Sequence, residues 1–379
     1  MAVVKSPYFK VIYEGNDVTK DLSESVISIN YSDAVEGESD ELKINLHDFN
    51  GNWKNEWRSN NGDTISVQIG YSEDDLLDCG SFEIDKVKYK GQPDTVELTA
   101  LAIGVNNTLR EDKSRPFENQ TIRQIAKAIA DENGLTLISY FPVVQAALAQ
   151  TIGESLSANK ILDMNILRAV QNRESDLAFL NRIGNKFGIS FNVRGNQMYF
   201  FLVYDLDSVT ATHNVSYYEI TDIQNEAEAN RETAIHMKSY DLADFAEKVV
   251  AGVDVRYQNP ISGEAFIFKL NNDTSYAQYM IDAITKDVLA RALRRLKVYE
   301  TVENDQQAEA VASARLYKSV SRQVMGTVEM EGTTGVVAGT AFNIDGLGWL
   351  NGRYFVEKSN HSISRSSGYT TRVTVKFLG

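Results

Sequence analysis

Apolar and polar residues alternate with a period of two through much of this 379-residue chain, the pattern of strands with one buried face. Between Tyr8 and Ile103 the sets Ile27, Ile29, Tyr31; Leu42, Ile44, Leu46; Ile65, Val67, Ile69, Tyr71; and Val96, Leu98, Ala100 each step by two. Turn formers punctuate them at Glu14-Gly15-Asn16-Asp17, Asn50-Gly51-Asn52 and Asn61-Gly62-Asp63. With no helical pattern to cross over between such strands, an antiparallel barrel or sandwich is predicted. The same period closes the chain. Val373, Val375 and Phe377 face one way and Arg372, Thr374 and Lys376 the other, after glycines at 332, 335, 339, 346, 348, 352 and 368.

In the middle the period changes to that of a helix. The run Arg110 to Pro116 is charged and marks the first expected boundary. Asn119 or Thr121 then caps a helix carrying Ile122, Ile125, Ala126 and Ile129 on one face, with Gly134 to stop it. Gln145–Ala158 reads as a loop or a poor helix and Asn159–Val170 as a helix. Ser175 caps a helix with Leu177, Leu180, Gly184 and Phe187 in register and Gly188 as its stop. A hairpin follows: Ile189–Val193, a turn at Arg194-Gly195-Asn196, and Gln197–Val203. Strands return at Ile235–Ser239, Lys248–Tyr257 and Ala265–Leu270. Two amphipathic helices are expected after them. One carries Met280, Ile284, Val288 and Ala292 and ends on Arg291, Arg294, Arg295 and Lys297; the other runs from about Glu303 to Val320.

Composition narrows the function classes. The share of hydrophobic residues, 43%, and of charged residues, 24%, is that of a soluble globular protein. No run of ~18 apolar residues exists to span a membrane, and the N-terminus lacks the layout of a signal peptide. A single cysteine, Cys79, excludes an internal disulfide and a thiolate zinc cluster. The net charge of −14 speaks against tight or sequence-specific nucleic-acid binding, which draws on clustered Lys and Arg.

Candidate chemistry is sparse. His47, His213, His236 and His361 show no metal-ligand spacing, so structural roles are expected, and neither a metal nor a cofactor is implied. The carboxylate groups Glu36, Glu38, Asp40, Glu41 and Glu73, Asp74, Asp75 suit solvated loop tips better than a glycosidase pair. Glu174 and Asp176 read as cap and ion-pair residues, with Arg182 as partner, and Cys79 as core. Trp53, Trp57 and Trp349 sit in turn-rich stretches, where each either covers a local apolar cluster or anchors a partner. Trp349, in Gly346-Leu-Gly-Trp-Leu-Asn-Gly352, is the interface candidate; no catalytic residue is assigned and no enzyme is expected.

Two stretches carry a resemblance. Gln171, Glu174-Ser175-Asp176, Phe179-Leu180, Arg182 and Gly188 fit a Q-x-x-ESD-x-x-FL-x-R-(x5)-G-I pattern, and NGRYFVEKSNHSISRSSGYTTRVTVKF (351–377) forms the closing strands. Both resemble the late control D family of bacteriophage tail baseplate hub proteins and the hub module of type VI secretion spike proteins. The resemblance implies an α+β, β-rich fold of two tube-like antiparallel β-barrel domains, 1–109 and 213–379, with an α+β module at 110–212. It implies a homotrimeric adapter in the baseplate of a virion or tail-like particle, assembled in the bacterial cytoplasm. The partners implied are a spike protein, tail tube or tube-initiator proteins, and a tape measure protein in a central channel. Some relatives continue into a spike or lysozyme domain; this sequence stops at Gly379, so piercing or wall cleavage is expected of separate proteins. The alternative is a carbohydrate-binding or cell-wall-degrading tail protein, which requires a cleft with two converging carboxylates and an aromatic platform.

Overall fold

The computed structural model describes residues 6–35, 40–102, 107–138, 160–194, 197–203, 209–217, 235–245, 250–260, 262–271, 294–321 and 324–378. Strands dominate. The first unit holds β1 (Tyr8–Tyr13), β2 (Asn16–Asp17), β3 (Val26–Ala34), β4 (Glu41–His47), β5 (Thr64–Ser72), β6 (Asp75–Lys90) and β7 (Thr95–Ala102), hydrogen-bonded in the order β3-β4-β7-β6-β5-β1-β2. Its core is made by the alternating residues the sequence marks, among them Leu42, Ile44, Leu46, Val67, Ile69 and Leu98. Ile27 departs from this. A register shift between Val26 and Ser28 makes a bulge, so Val26 and Ile29 face the core and Ile27 is half-buried.

The middle of the chain contributes β8 (Asp112–Thr121), β9 (Thr136–Ile138), β10 (Asn165–Ser175), β11 (Ile189–Arg194) and β12 (Gln197–Leu202), with helices Ile122–Glu132 and Asp176–Phe187. Thr121 caps the first helix in a reciprocal box with Gln124. Ser175 caps the second, and Gly188, at φ 73°, ends it. β11 and β12 form the expected hairpin. One expectation fails here. Asn159–Val170 is not one helix: from Asn165 the chain is β10, because β8 lies antiparallel to it over its whole length and takes up the backbone bonds a helix would satisfy internally. The charged run 110–116 leads into β8.

Next come β13 (Ala211–Ser216), β14 (Ile235–Asp244), β15 (Gly252–Gln258), β16 (Ala265–Asn271) and β17 (Arg295–Tyr299), then helix Asp305–Val320, β18 (Val324–Glu331), β19 (Ala341–Asp345), β20 (Gly352–Ser364) and β21 (Gly368–Phe377). The basic residues Arg295 and Lys297, read as a helix end, lie in β17, parallel to β15. Arg295 there pairs with Asp254 at 2.7 Å, an interaction across strands that local periodicity does not encode. Met280–Ala292 and Gln145–Ala158 lie outside the described residues. The Asp305–Val320 helix forms as expected, capped by Asn304.

β19-β13-β14-β18-β21-β20 close on themselves, since β19 pairs with β13 and with β20. That ring is a six-stranded barrel around Val328, Met330, Phe342, Ile344, Tyr354, Val373 and Val375. It is not wholly antiparallel: β13 runs parallel to both its neighbours. β20 also pairs with β3, so one thirteen-stranded sheet runs through both barrels. The described core residues between 250 and 316 belong to neither barrel core. Val253, Val255, Leu270, Val298, Val311 and Leu316 pack with Phe117, Ile125, Phe179 and Phe200 in a single α+β core.

Candidate functional site

The features that set this molecule's geometry lie at two joints, one between the barrels and one between barrels and module. At the first, β3 and β20 pair from Ala34–Lys358 to Ser28–Ser364. The segment between β18 and β19 then plugs the seam. Val336 enters the second barrel's core, Val337 the first barrel's, and Ala338 a small junction core with Val35, Tyr199, Phe201 and Phe355. Three consecutive side chains thus enter three apolar clusters. Ala338 N–H donates to Asp33 (3.1 Å) and Gly339 N–H to Val356 O (2.9 Å), fixing the backbone. Gly332 is required at the entrance: a Cβ there would lie 2.1 Å from the buried Tyr369 ring.

Beneath this plug lies His361, fully buried. Its Nδ1 is 2.9 Å from the Tyr369 hydroxyl and 3.2 Å from Thr371 Oγ1, and its ring stacks near Tyr31. Burial pushes its pKa down to about 3, so the imidazole is neutral in the folded protein. Cys79 is buried, as its strand pattern suggests, and burial raises its thiol well above the ordinary range.

The second joint explains the ESD pattern. Asp176 is fully buried and accepts from Lys113 Nζ (2.5 Å), Arg115 Nη2 (2.9 Å), Gln171 Nε2 (2.9 Å) and Asn133 Nδ2 (3.3 Å). Burial alone would raise its carboxyl; the bonds from Lys113 and Gln171 and the charges of Lys113 and Arg115 outweigh this and hold it below the ordinary value. Glu174 takes Arg182 (2.5 Å), whose Nη2 also donates to Val170 O (2.8 Å). The motif is therefore a clamp tying the β8–β10 ribbon to its helices. The sequence offers Glu174 and Arg182 as partners, but Lys113 and Arg115 are some sixty residues from Asp176 and carry no local signal of it.

The module meets the barrels through Asn192 Nδ2, which donates to Ala34 O (2.5 Å), and through Lys376. Lys376 stands on the polar side of the alternation, yet it is buried: its Nζ donates to the Tyr317 hydroxyl and sits 5.0 Å over the Phe355 ring. Tyr317 in turn donates to Val203 O (3.0 Å).

Trp349 projects from a short turn, Gly348–Leu350, and is 70% exposed. Its neighbours Leu347 and Leu350 pack on the second barrel's core, so the indole is held out on an anchored base. Trp53 is buried and makes an edge contact with the half-exposed Trp57. Among the described residues no group of three or more His, Cys, Asp or Glu is placed to hold a metal, and no helix is long and apolar enough to cross a membrane.

Two barrels sharing one sheet, with an α+β module braced against their seam, is the fold of phage tail proteins. The 43 kDa tail protein of prophage MuSo2 from Shewanella oneidensis superposes with a TM-score of 0.63 at 11% identity, covering 98% of both chains. The tail protein from Neisseria meningitidis MC58 gives 0.63 at 10% identity over 98% of this chain and 96% of that one. An E. coli component of the type VI secretion system gives 0.50 at 11% identity over 94% and 74%. The sequence goes further than the fold: the phage tail baseplate hub (GPD) family matches residues 100–367, and the chain belongs to that family. Probable baseplate hub proteins of Escherichia phages 186 and P2 are 25% and 27% identical over 195 residues. That alignment covers 52% of this chain and 45% of each relative, so it spans about half the length of the curated relatives.

Proposed function

We propose that this chain is a structural hub of a contractile tail or related injection particle, a homotrimeric adapter that joins a sixfold tail tube to a trimeric spike. The observation that carries the reading is the continuous sheet through two barrels, in a chain of the baseplate hub family. Three copies would present six barrels, enough to meet a sixfold tube on one side while the ring keeps threefold symmetry toward the spike. The ring encloses a central channel for a tape measure protein and later for the cargo. The role is alignment, with no catalytic step. The plug at Val336–Ala338 supports it, because fixed barrel spacing is what a symmetry adapter needs.

Within this reading we propose that the two barrels are strands β1 to β7 and strands β13, β14 and β18 to β21, and that the described residues within 107–202 and 250–316 make up the module, a division their shared core supports. Trp349 is the anchor we propose for a tube or spike partner. Assembly in the bacterial cytoplasm and residence in the baseplate follow from the same reading.

The test is the mass of the purified chain, alone and mixed with its cognate spike protein, by native mass spectrometry. A threefold mass in either sample supports the adapter. A persistent monomer that ignores the spike refutes it, and a sixfold ring makes the chain a tube component.

A further inference from the structure

The module turns an unusual face outward. The sheet β16-β15-β17 packs Val253, Val255, Leu270 and Val298 inward, against the Asp305–Val320 helix among other elements. Its other face follows from the register. Arg256 lies opposite Ile267 on one side and Tyr299 on the other, and Asp254 lies opposite Lys269 and Lys297. Ile267 is 52% exposed and Tyr299 70%, with the Arg256 guanidinium 5.6 Å from the Tyr299 ring. Among the described residues, four cations, Arg256, Lys269, Arg295 and Lys297, share the face with one carboxylate, Asp254, which Arg295 already holds. In a chain of net charge −14 this is a local reversal of sign around an apolar centre. An exposed apolar pair beside three cations that meet no carboxylate among the described residues, Arg256, Lys269 and Lys297, fits an acidic protein surface better than water or a neutral core.

The chain itself offers such a surface. From Tyr71 to Asp85 there is no Lys or Arg, and the β5–β6 turn with the start of β6 presents Glu73, Asp74, Asp75 and Asp78, all exposed. None of the four meets a cation among the described residues; Glu73 accepts only from the Tyr8 hydroxyl (3.1 Å), and Asp75 from Thr334 (2.8 Å). We propose that the outer face of β16-β15-β17 in one copy docks the acidic β5–β6 turn of the next. The two patches differ, so the contact is head-to-tail, and repeated by rotation it closes a ring. This rests on the proposed hub reading for its threefold closure, and it supplies the contact that reading lacks.

The experiment is sedimentation velocity of the full chain at low and high salt. Wild type is expected to self-associate at low salt and to dissociate as salt rises. Lys269→Glu with Lys297→Glu, both at exposed positions, should weaken association about tenfold or more. Adding Glu73→Lys and Asp74→Lys to that variant should restore it, and Tyr299→Ala should weaken it without altering the circular dichroism spectrum. A wild-type monomer at low salt overturns the proposal, as does association untouched by the lysine reversals or a charge swap that restores nothing. Spike binding is read separately. A chain that binds spike but fails these tests loses the docking contact and keeps the hub role; one that self-associates through this face but ignores spike and tube loses the hub role alone.

Discussion

Replacing Asp176 by Ala removes the acceptor of four donors at once and leaves Lys113 and Arg115 beside an apolar methyl. Breaking one side of a buried ion pair costs about 3–5 kcal/mol. The lower end applies here, because Glu132 stays within 3.5 Å of Lys113 and 2.5 Å of Arg115, and both cations are 25% exposed. The expected loss is about 3 kcal/mol, confined at first to the module. All three tryptophans lie outside the module, at 53, 57 and 349, so fluorescence would miss it. Hydrogen exchange read on the Ile122–Glu132 and Asp176–Phe187 helices is the suitable assay. The sign with pH is fixed as well. The folded carboxyl titrates below its ordinary value of 3.8, so its stabilisation is complete above that pH and is lost as the pH falls through the lowered value. A loss under about 1 kcal/mol would show that Asp176 behaves as a surface ion pair, and the clamp argument would fail.

His361 gives a second pH signature. Its folded pKa is about 3 against an ordinary 6.5, so only the unfolded chain takes a proton between those values. Stability should fall by roughly 2 kcal/mol from neutral pH to pH 5, and His361→Gln should flatten that limb in urea titrations. Val337→Ala, at the plug, should cost about 2 kcal/mol in denaturant unfolding; a change near zero would mean that the segment merely covers the seam. Gly332→Ala drives a methyl into the Tyr369 ring and should lower stability by about 1–3 kcal/mol, measured by the same titration. Trp349→Ala should leave the melting temperature unchanged and weaken pull-down of tube or spike; unchanged capture of both removes it as an anchor.

Local order was legible wherever one strand or helix turn carried its own signal. Leu42, Ile44 and Leu46 are core because their spacing says so, and Thr121, Ser175 and Gly188 bound helices because caps are chemistry of adjacent residues. The signal failed where a distant partner decided. Asn165–Ser175 became a strand because β8 was there to pair with it, and Ile27 left the core because of a bulge. Arg295 lies in a strand opposite Asp254. Lys376, polar by alternation, is buried because Tyr317 and Phe355 arrive from other elements.

By itself the sequence determined the strand-rich character, the capped helices and the family pattern around Glu174-Ser175-Asp176. These rest on residue type and short spacing, which the chain carries locally. Only the tertiary structure decided that β20 pairs both within its own barrel and with β3, that Val336, Val337 and Ala338 divide among three cores, and that Lys113 and Arg115 serve Asp176. Each is a contact between residues far apart in the chain, made when burial and pairing settle together, and no periodicity of two or 3.6 contains it.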